Sequence, residues 1–333
     1  MIVWTIIRYM CRKIHRIRKA FKKTSLKESL ELEKAKSILS SNTISRFFAP
    51  DVVDEYTTND SQHEDGNMKK IVILFHAGNE CASDYYTEDA PETCILRNLL
   101  MELGFTVIIP NYLTKNFNII NTLDVFIPEL VQKMKNSHNP QDIIVFGRGV
   151  LGSLLASEFI SRFHDVSALV LESPACEVGS LICSDKEITK SFSGDLDVLR
   201  NALEAHCNNT KKISKYKGPL ILLHSDADQK IPASHSDNLM NSSFSRRKNL
   251  FLFNSPEEGK LIISNLDLYL SALTTLCHVV SHEIPDSFEN LVQQIKDGDH
   301  NLITNTSCAE DLLTEELGMT FGTIDNAVEI INY

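Results

Sequence analysis

Short apolar runs alternate with amphipathic stretches from about residue 70 to residue 276. Runs that are apolar throughout, rather than at every second position, are typical of strands buried on both faces of a sheet. The six runs are KIVILF (70–75), FTVIIP (105–110), DIIVFG (142–147), VSALVLES (166–173), GPLILLHS (218–225) and KNLFLFN (248–254). They predict the strands of one sheet.

The stretches between these runs carry apolar residues at helical spacing. They are PETCILRNLLMELG (91–104), LDVFIPELVQKMKN (123–136), VLGSLLASEFISRF (150–163), SHSDNLMNSS (234–243) and ISNLDLYLSALTTL (263–276). Strands that alternate with helices favour an α/β fold whose mostly parallel sheet has helices on both faces. Ligands of such sheets bind beyond the carboxyl ends of the strands, so the loops there are the candidate site.

Shifts in composition divide the chain into segments. Residues 1–27 form a basic amphipathic arm, and 28–67 a polar helix and linker. The α/β domain is expected over 68–279, with a short cap at about 178–217. Residues 280–333 are acidic and predict a helical extension that packs on the domain or docks a protein partner.

The basic arm predicts attachment to a membrane surface. Residues 1–27 hold nine Lys and Arg and no Asp or Glu, so the rest of the chain carries −11 − 9 = −20. Arg12 and Lys13 lie among apolar residues at helical spacing, a pattern that places cations against anionic lipid headgroups. Cys11 is a candidate for S-acylation. The alternative is a helix that packs on its own domain, or a disordered segment.

The apolar run at Ile2–Ile7 is far shorter than the roughly 20 residues of a membrane-spanning helix. Its charges follow the apolar residues, whereas a secretory signal has them in front. We therefore expect a cytoplasmic protein, peripheral at a membrane surface.

Composition excludes several other functions. A net charge of −11 argues against a nucleic-acid binder. The eight cysteines never form C-x-x-C, which argues against a zinc site or a disulfide framework and favours a reducing compartment. No motif indicates a metal or another cofactor.

Three motifs occur at the carboxyl ends of predicted strands. ILFHAGNE follows the first strand, VFGRGVLGS lies between a strand and a helix, and PLILLHSDADQKIP ends the fifth strand. In this order they resemble the α/β-hydrolase fold over about residues 68–276, and the small membrane-associated ABHD-type serine hydrolases, which include protein depalmitoylases, in particular. The resemblance implies a Ser-His-Asp triad, a nucleophile elbow and an oxyanion loop.

Carried over residue by residue, the triad is incomplete. Asp228 stands at the position of the acid, but Gly149 stands at that of the nucleophile. Lys260 falls where the family has its histidine, in a region that reads NSPEEGKLIIS. The oxyanion-loop-like residues are His76, Ala77 and Val150.

Three residues are candidates for a displaced nucleophile, namely Cys81, Ser153 and Ser173. Asp228 also has an alternative role, as a residue that caps the following turn. A histidine brought to Asp228 from elsewhere, such as His278, His282 or His300, would restore a base.

These residues predict a catalytically inactive α/β-hydrolase-like protein. It would act as a membrane-associated scaffold, or bind an acyl chain or lipid in the remaining cleft. The alternative is an active serine hydrolase of the thioesterase, esterase or peptidase-like kind, with a displaced nucleophile.

Overall fold

The computed structural model contains one seven-stranded sheet. It describes residues 48, 70–86, 91–113, 117–191, 195–254, 260–288, 290 and 330–332. The strands are β1 (Ile71–Phe75), β2 (Thr106–Ile108), β3 (Ile143–Arg148), β4 (Ala168–Glu172), β5 (Leu220–Ser225), β6 (Lys248–Phe253) and β7 (Ile330–Asn332). Their order is β2-β1-β3-β4-β5-β6-β7, and every pair among the first six strands is parallel.

Helices connect the parallel strands. Two of the labelled helices precede β3: α1 is Pro91–Glu102, and α2 begins as Ile119–Asn121, passes through a π-helical turn over Thr122–Phe126 and continues as Ile127–Ser137. The others are α3 (Gly149–Arg162), α4 (Val178–Ser184), α5 (Lys186–Ser191), α6 (Leu196–His206), α7 (Asn209–Ile213), α8 (Ser234–Ser242), α9 (Leu261–Ser264) and α10 (Leu266–Val279). Short 3₁₀ turns lie at Ala82–Tyr86 and Pro140–Asp142.

The sheet is buried on both faces because its strands carry apolar residues at consecutive positions. In β1, Ile73 and Phe75 pack on the face covered by α2, α3, α4, α6, α7 and α8. Val72 and Leu74 pack on the opposite face, against α1, α9 and α10. Successive side chains of a strand point to opposite faces, so a continuous apolar run supplies both cores. The predicted α/β fold, a mostly parallel sheet with helices on both faces, is confirmed.

The segment expected to form the cap contains four helices, α4 to α7. An isolated antiparallel bridge between Glu177 and Asn208 closes its base. The side-chain amide of Asn209 donates to the carbonyl of Ala175 at 2.8 Å, which ties the cap to the chain leaving β4.

The predicted acidic extension differs from expectation at its end. Ile330–Asn332 is not helical but adds to β6 as an antiparallel strand. Near its start, the His282 ring stacks on Phe105 and its Nε2 donates to the Leu103 carbonyl at 2.7 Å, so this part packs on the domain. The basic arm and the linker, apart from Phe48, lie outside the described residues.

Candidate functional site

A sharp turn between β3 and α3 is the centre of the candidate site. Gly149, the first residue of α3, has a φ of +61°, which is in the left-handed region that residues with a Cβ rarely adopt. A Cβ at Gly152 would collide with the Phe75 carbonyl oxygen, and one at Gly147 would lie 2.5 Å from the Gly152 carbonyl oxygen. These glycines let the start of α3 approach β1 and β3 closely.

This strand-to-helix turn, called the elbow below, has a glycine at its tip. Gly149 offers no nucleophilic atom, and its assignment to the nucleophile position stays a prediction. The next residue, Val150, is half-buried in the first turn of α3. Ser153 does not replace the nucleophile, since it is fully buried and its hydroxyl donates to the Gly147 carbonyl at 3.3 Å.

The loop after β1 faces the elbow. A Cβ built on Gly149 would lie 3.1 Å from the Cβ of Ala77. The Ala77 backbone N–H, the expected donor to an oxyanion, already donates to Glu80 Oε2 at 2.9 Å. Because the Ala77 N–H is bonded to the Glu80 carboxylate, it is not available to an oxyanion.

His76 in the same loop is fully buried and stacks on Tyr112, with ring centroids 4.2 Å apart. The Tyr112 hydroxyl donates to the His76 carbonyl. Burial lowers the pKa of His76, so its ring stays neutral in the folded protein. His76 is a packed residue of the loop.

A buried ion network lies directly behind the elbow. Arg148, 1% exposed, donates to Glu172 Oε1 from Nε at 3.0 Å and from Nη2 at 2.8 Å. Its Nη1 donates to Glu80 Oε1 at 2.7 Å. The hydroxyls of Tyr85 and Tyr269 donate to Glu80 Oε2 and Glu172 Oε2, each at 2.7 Å.

Two neighbouring carboxylates keep Arg148 positively charged. Burial works to lower the pKa of Arg148, but the charges of Glu172 and Glu80 outweigh it and raise that pKa well above its usual value. Arg148 therefore remains a cation, held between the loop after β1 and the end of β4.

Asp228 lies in the turn after β5, where its carboxylate caps the backbone. Its Oδ1 accepts from the N–H groups of Lys230 and Ile231 at 2.8 and 2.9 Å. Its Oδ2 is buried, lies 3.9 Å from His224 Nε2 and has no hydrogen-bond partner within the described part of the chain. That Nε2 donates to the Ile231 carbonyl at 2.7 Å, which leaves Nδ1 to accept from Ser236 Oγ. His224 is thus a neutral residue at the end of β5, held by its hydrogen bonds to Ile231 and Ser236.

The expected histidine position is occupied by a helix start. Lys260 immediately precedes α9, and its carbonyl accepts from the Ser264 N–H at 3.1 Å. His282 contacts Leu103 near the amino ends of the strands, and His278 is an exposed residue of α10. His300 and residues 255–259 lie outside the described part of the chain.

The two other candidate nucleophiles are not activated. Cys81 Sγ donates to Asp84 Oδ1 at 2.8 Å and contacts no histidine among the described residues. Burial, and next the hydrogen bond to Asp84, raise the pKa of the Cys81 thiol. Ser173 has a φ of +47°, and its buried hydroxyl has no hydrogen-bond partner, and hence no base, among the residues that the structure describes.

The sequence did not indicate one thiol–imidazole pair at this edge of the sheet. Cys176 Sγ lies 3.0 Å from Nδ1 of His235, which also accepts from the Cys176 N–H at 3.2 Å. Burial raises the pKa of Cys176 and lowers that of His235, so both groups are neutral. Their separation by 59 positions leaves no local motif, and only the fold brings them together.

The described residues contain no group of three or more His, Cys, Asp or Glu side chains arranged to hold a metal ion. Among the helices that the structure describes, none is both long and apolar enough to cross a bilayer.

No protein-family model and no curated protein matches the sequence. Solved structures with a similar fold include Est1E from Butyrivibrio proteoclasticus, with 14% identity and a TM-score of 0.48 over 70% of this chain and 91% of that chain. The esterase domain of a Rhodothermus marinus protein has 13% sequence identity and a TM-score of 0.47, and the alignment covers 66% of this chain and 89% of that chain. Esterase Pf2001 of Pyrococcus furiosus has 15% sequence identity and a TM-score of 0.46, and the alignment covers 64% of this chain and 81% of that chain.

Proposed function

We propose that this protein, which has the α/β-hydrolase fold, does not hydrolyse esters and acts as a scaffold at an anionic membrane surface. The observation that carries the first half is Gly149. It occupies the tip of the elbow with the left-handed φ of +61° that the turn requires, and it has no side chain. The elbow is thus retained as backbone, without the atom that would attack a substrate.

Two further features support the absence of hydrolysis. The Ala77 N–H is engaged by Glu80, and Asp228 Oδ1 is engaged by its own turn. Removing triad members from a serine hydrolase costs on the order of 10⁴–10⁶ in kcat. A chain with a glycine at the nucleophile position is expected to show no turnover above the uncatalysed rate.

The packing of the interior favours a scaffold over a protein that binds an acyl chain. The gap between the sheet and α10, lined by Val170, Ile221, Leu223, Ala272, Leu273 and Leu276, has no room for even one water molecule. Ligand pockets usually measure about 300–1,000 Å³. This gap is too small for an acyl chain, so the surface is the better candidate for binding.

The membrane half of the proposal rests on the sequence of residues 1–27. Their nine basic residues contrast with a body of charge −20, so an anionic bilayer attracts the arm and repels most of the body. Arg12 and Lys13 are the cations next to Cys11, the candidate acylation site. We expect the protein to bind vesicles of phosphatidylserine and phosphatidylcholine, and not vesicles of phosphatidylcholine alone.

Vesicle binding and ester turnover test the two halves separately. The full chain is sedimented with both kinds of vesicle, beside the variant Arg12→Gln/Lys13→Gln, which should bind several-fold more weakly. Turnover of a p-nitrophenyl ester and of an acyl thioester should equal the buffer blank. Equal binding to both vesicles, or turnover abolished by active-site inhibitors, would refute the corresponding half.

The alternative of a displaced nucleophile has one specific observation in its favour, the contact between Cys176 and His235. A thiol beside an imidazole is the arrangement of a cysteine nucleophile and its base. Thioester turnover that Cys176→Ser removes and Cys81→Ser leaves intact would establish it. The raised pKa of the buried Cys176 thiol favours the opposite result.

A further inference from the structure

Phe244 is the most exposed of the large apolar side chains in the described part of the chain, at 72%. It lies in the loop between α8 and β6, and the serines on either side hold that loop in place. Both Ser243 and Ser245 are buried. Ser243 Oγ accepts from the Ser245 N–H at 3.2 Å, and Ser245 Oγ donates to the Arg247 carbonyl at 2.9 Å. The loop therefore presents the phenyl ring to solvent on a fixed base.

The surroundings of Phe244 are basic. Residues 238–255 contain Arg246, Arg247 and Lys248 and no acidic residue. Residues 207–225 contain four lysines and no acidic residue. Residues 28–333 have a net charge of −20, yet each of these two stretches carries positive charges and no negative ones.

The fold brings these two stretches together. The Leu220 N–H donates to the Arg247 carbonyl at 2.9 Å, and Leu220 is the register partner of Lys248. Burial raises the pKa of Tyr216, and the positive charge of Arg247 works against this rise. The Arg247 guanidinium therefore lies close to the Tyr216 ring. The loop before β5 and the loop before β6 are thus neighbours at the amino-end edge of the sheet.

The exposed cations of this edge are Lys215, Lys217, Arg246 and Arg247. Together with Phe244 they are called the basic aromatic patch below. Arg247 Nη1 donates to the Val279 carbonyl, whereas the side chains of Lys215, Lys217 and Arg246 form no hydrogen bond or ion pair with the residues that the structure describes.

Other charges near the patch are either paired or at its border. Lys212 pairs with Glu158 at 2.9 Å, and Lys248 Nζ donates to the Met240 carbonyl at 2.7 Å. The exposed acidic residues of the neighbouring segments are Asp165, in the loop before β4, and Glu283 and Asp286, after α10. The four exposed cations outnumber them.

We propose that the basic aromatic patch is a second membrane contact, at which Phe244 enters the headgroup region of an anionic bilayer and the four cations bind lipid phosphates. This inference rests on the membrane association proposed above and adds a site on the folded domain. An exposed aromatic ring inside a ring of Lys and Arg matches the two attractions that hold peripheral proteins at bilayers, apolar insertion and charge. The rest of the domain is acidic, so an anionic bilayer repels it and attracts the patch.

The position of the patch determines how the domain faces the bilayer. It lies at the amino ends of β5 and β6, whereas Gly149 lies at the carboxyl end of β3, on the opposite edge of the parallel sheet. With the patch on the membrane, the elbow points toward the aqueous side. This orientation suits a scaffold, since an enzyme acting on bilayer lipid would present its elbow to the membrane.

Tryptophan fluorescence tests the proposal because the chain has a single tryptophan, Trp4. The native protein reports on the arm, and the double variant Trp4→Phe/Phe244→Trp reports on the patch. Both are mixed with phosphatidylserine-containing vesicles that carry brominated acyl chains. We expect the indole introduced by Phe244→Trp to shift to shorter wavelength and to be quenched by the bromines.

Affinity measurements in the native background complete the test. Arg246→Gln should weaken vesicle binding about fivefold, and Phe244→Ala about tenfold. Val198→Ala and Arg200→Gln are matched controls, since both residues are exposed on α6 in the cap, and should leave the affinity unchanged.

The outcomes separate the two proposals. Quenching at position 244, with loss of affinity in Phe244→Ala and Arg246→Gln only, supports the patch. Quenching of Trp4 without quenching at position 244 overturns the patch and leaves arm-mediated binding intact. Quenching at neither position overturns both.

Discussion

Arg148 and Glu172 form an ion pair directly behind the elbow, with Nη2 and Oε1 2.8 Å apart and both side chains buried. The two residues are register partners on β3 and β4. Glu80 is a third member of the network, and it is also the residue that engages the Ala77 N–H. One buried network therefore holds the elbow, the loop after β1 and the end of β4 in place, even though the elbow has no nucleophile.

Removing Arg148 should destabilise the protein strongly. Arg148→Ala leaves the carboxylates of Glu172 and Glu80 buried without a cation, which costs about 3–5 kcal/mol in the free energy of unfolding. Arg200→Ala removes the exposed ion pair with Asp197 and should cost less than about 1 kcal/mol. Urea denaturation of both variants checks this contrast. Equal midpoints would show that the network does not stabilise the fold.

Three glycine substitutions should rank by steric conflict. Gly104→Ala meets a positive φ of +85° but only ordinary contacts, and should cost about 1–2 kcal/mol. Gly149→Ala adds a Cβ 3.1 Å from that of Ala77 and should cost slightly more. Gly152→Ala drives a Cβ into the Phe75 carbonyl and should cost the most, above about 3 kcal/mol. The ranking is measured by chemical denaturation, and any other order contradicts the close approach of α3 to β1.

Asp228 is predicted to act as a cap. In Asp228→Asn the amide oxygen can still accept from the Lys230 and Ile231 N–H groups, so the free energy of unfolding should fall by less than about 1 kcal/mol. Asp228→Ala leaves both donors without an acceptor and should cost about 1–2 kcal/mol. Thermal unfolding compares the two. A larger loss in Asp228→Asn than in Asp228→Ala would contradict the capping role.

Stability should fall between pH 7 and pH 5. Burial lowers the pKa values of His76 and His224 below the ordinary value of 6.5, so both are neutral in the folded state. Over this range the unfolded chain binds more protons than the folded chain, and the free energy of unfolding therefore decreases as the pH falls. His224→Gln should flatten the dependence, because it removes one of the two buried imidazoles. Urea midpoints at pH 5, 6 and 7 are the measurement.

The fold was predictable from the sequence because burial on both faces leaves a local signal. All six apolar runs form the parallel strands β1 to β6, each within two residues of the predicted ends. The strand β7 was missed because its three residues, Ile330–Asn332, pair with β6 across about 80 positions. A strand this short has too few residues to show a periodicity.

The site was predictable only in its backbone. The glycines of VFGRGVLGS indicated a tight turn, and Gly149 is the residue with the left-handed φ. The contact of Arg148 with Glu80, and that of Cys176 with His235, join residues 68 and 59 positions apart. Such contacts depend on the packing of several strands, so a linear motif does not reveal them.

The central claim is that the elbow has no nucleophile, and a fluorophosphonate probe tests it most directly. The folded full-length protein is incubated with the probe beside an active serine hydrolase, and intact-mass and peptide mass spectrometry locate any adduct. We predict no adduct on the native chain, and none on Gly149→Ser, because the restored hydroxyl still lacks a base. A stoichiometric adduct on any serine of the native, folded protein would contradict the account.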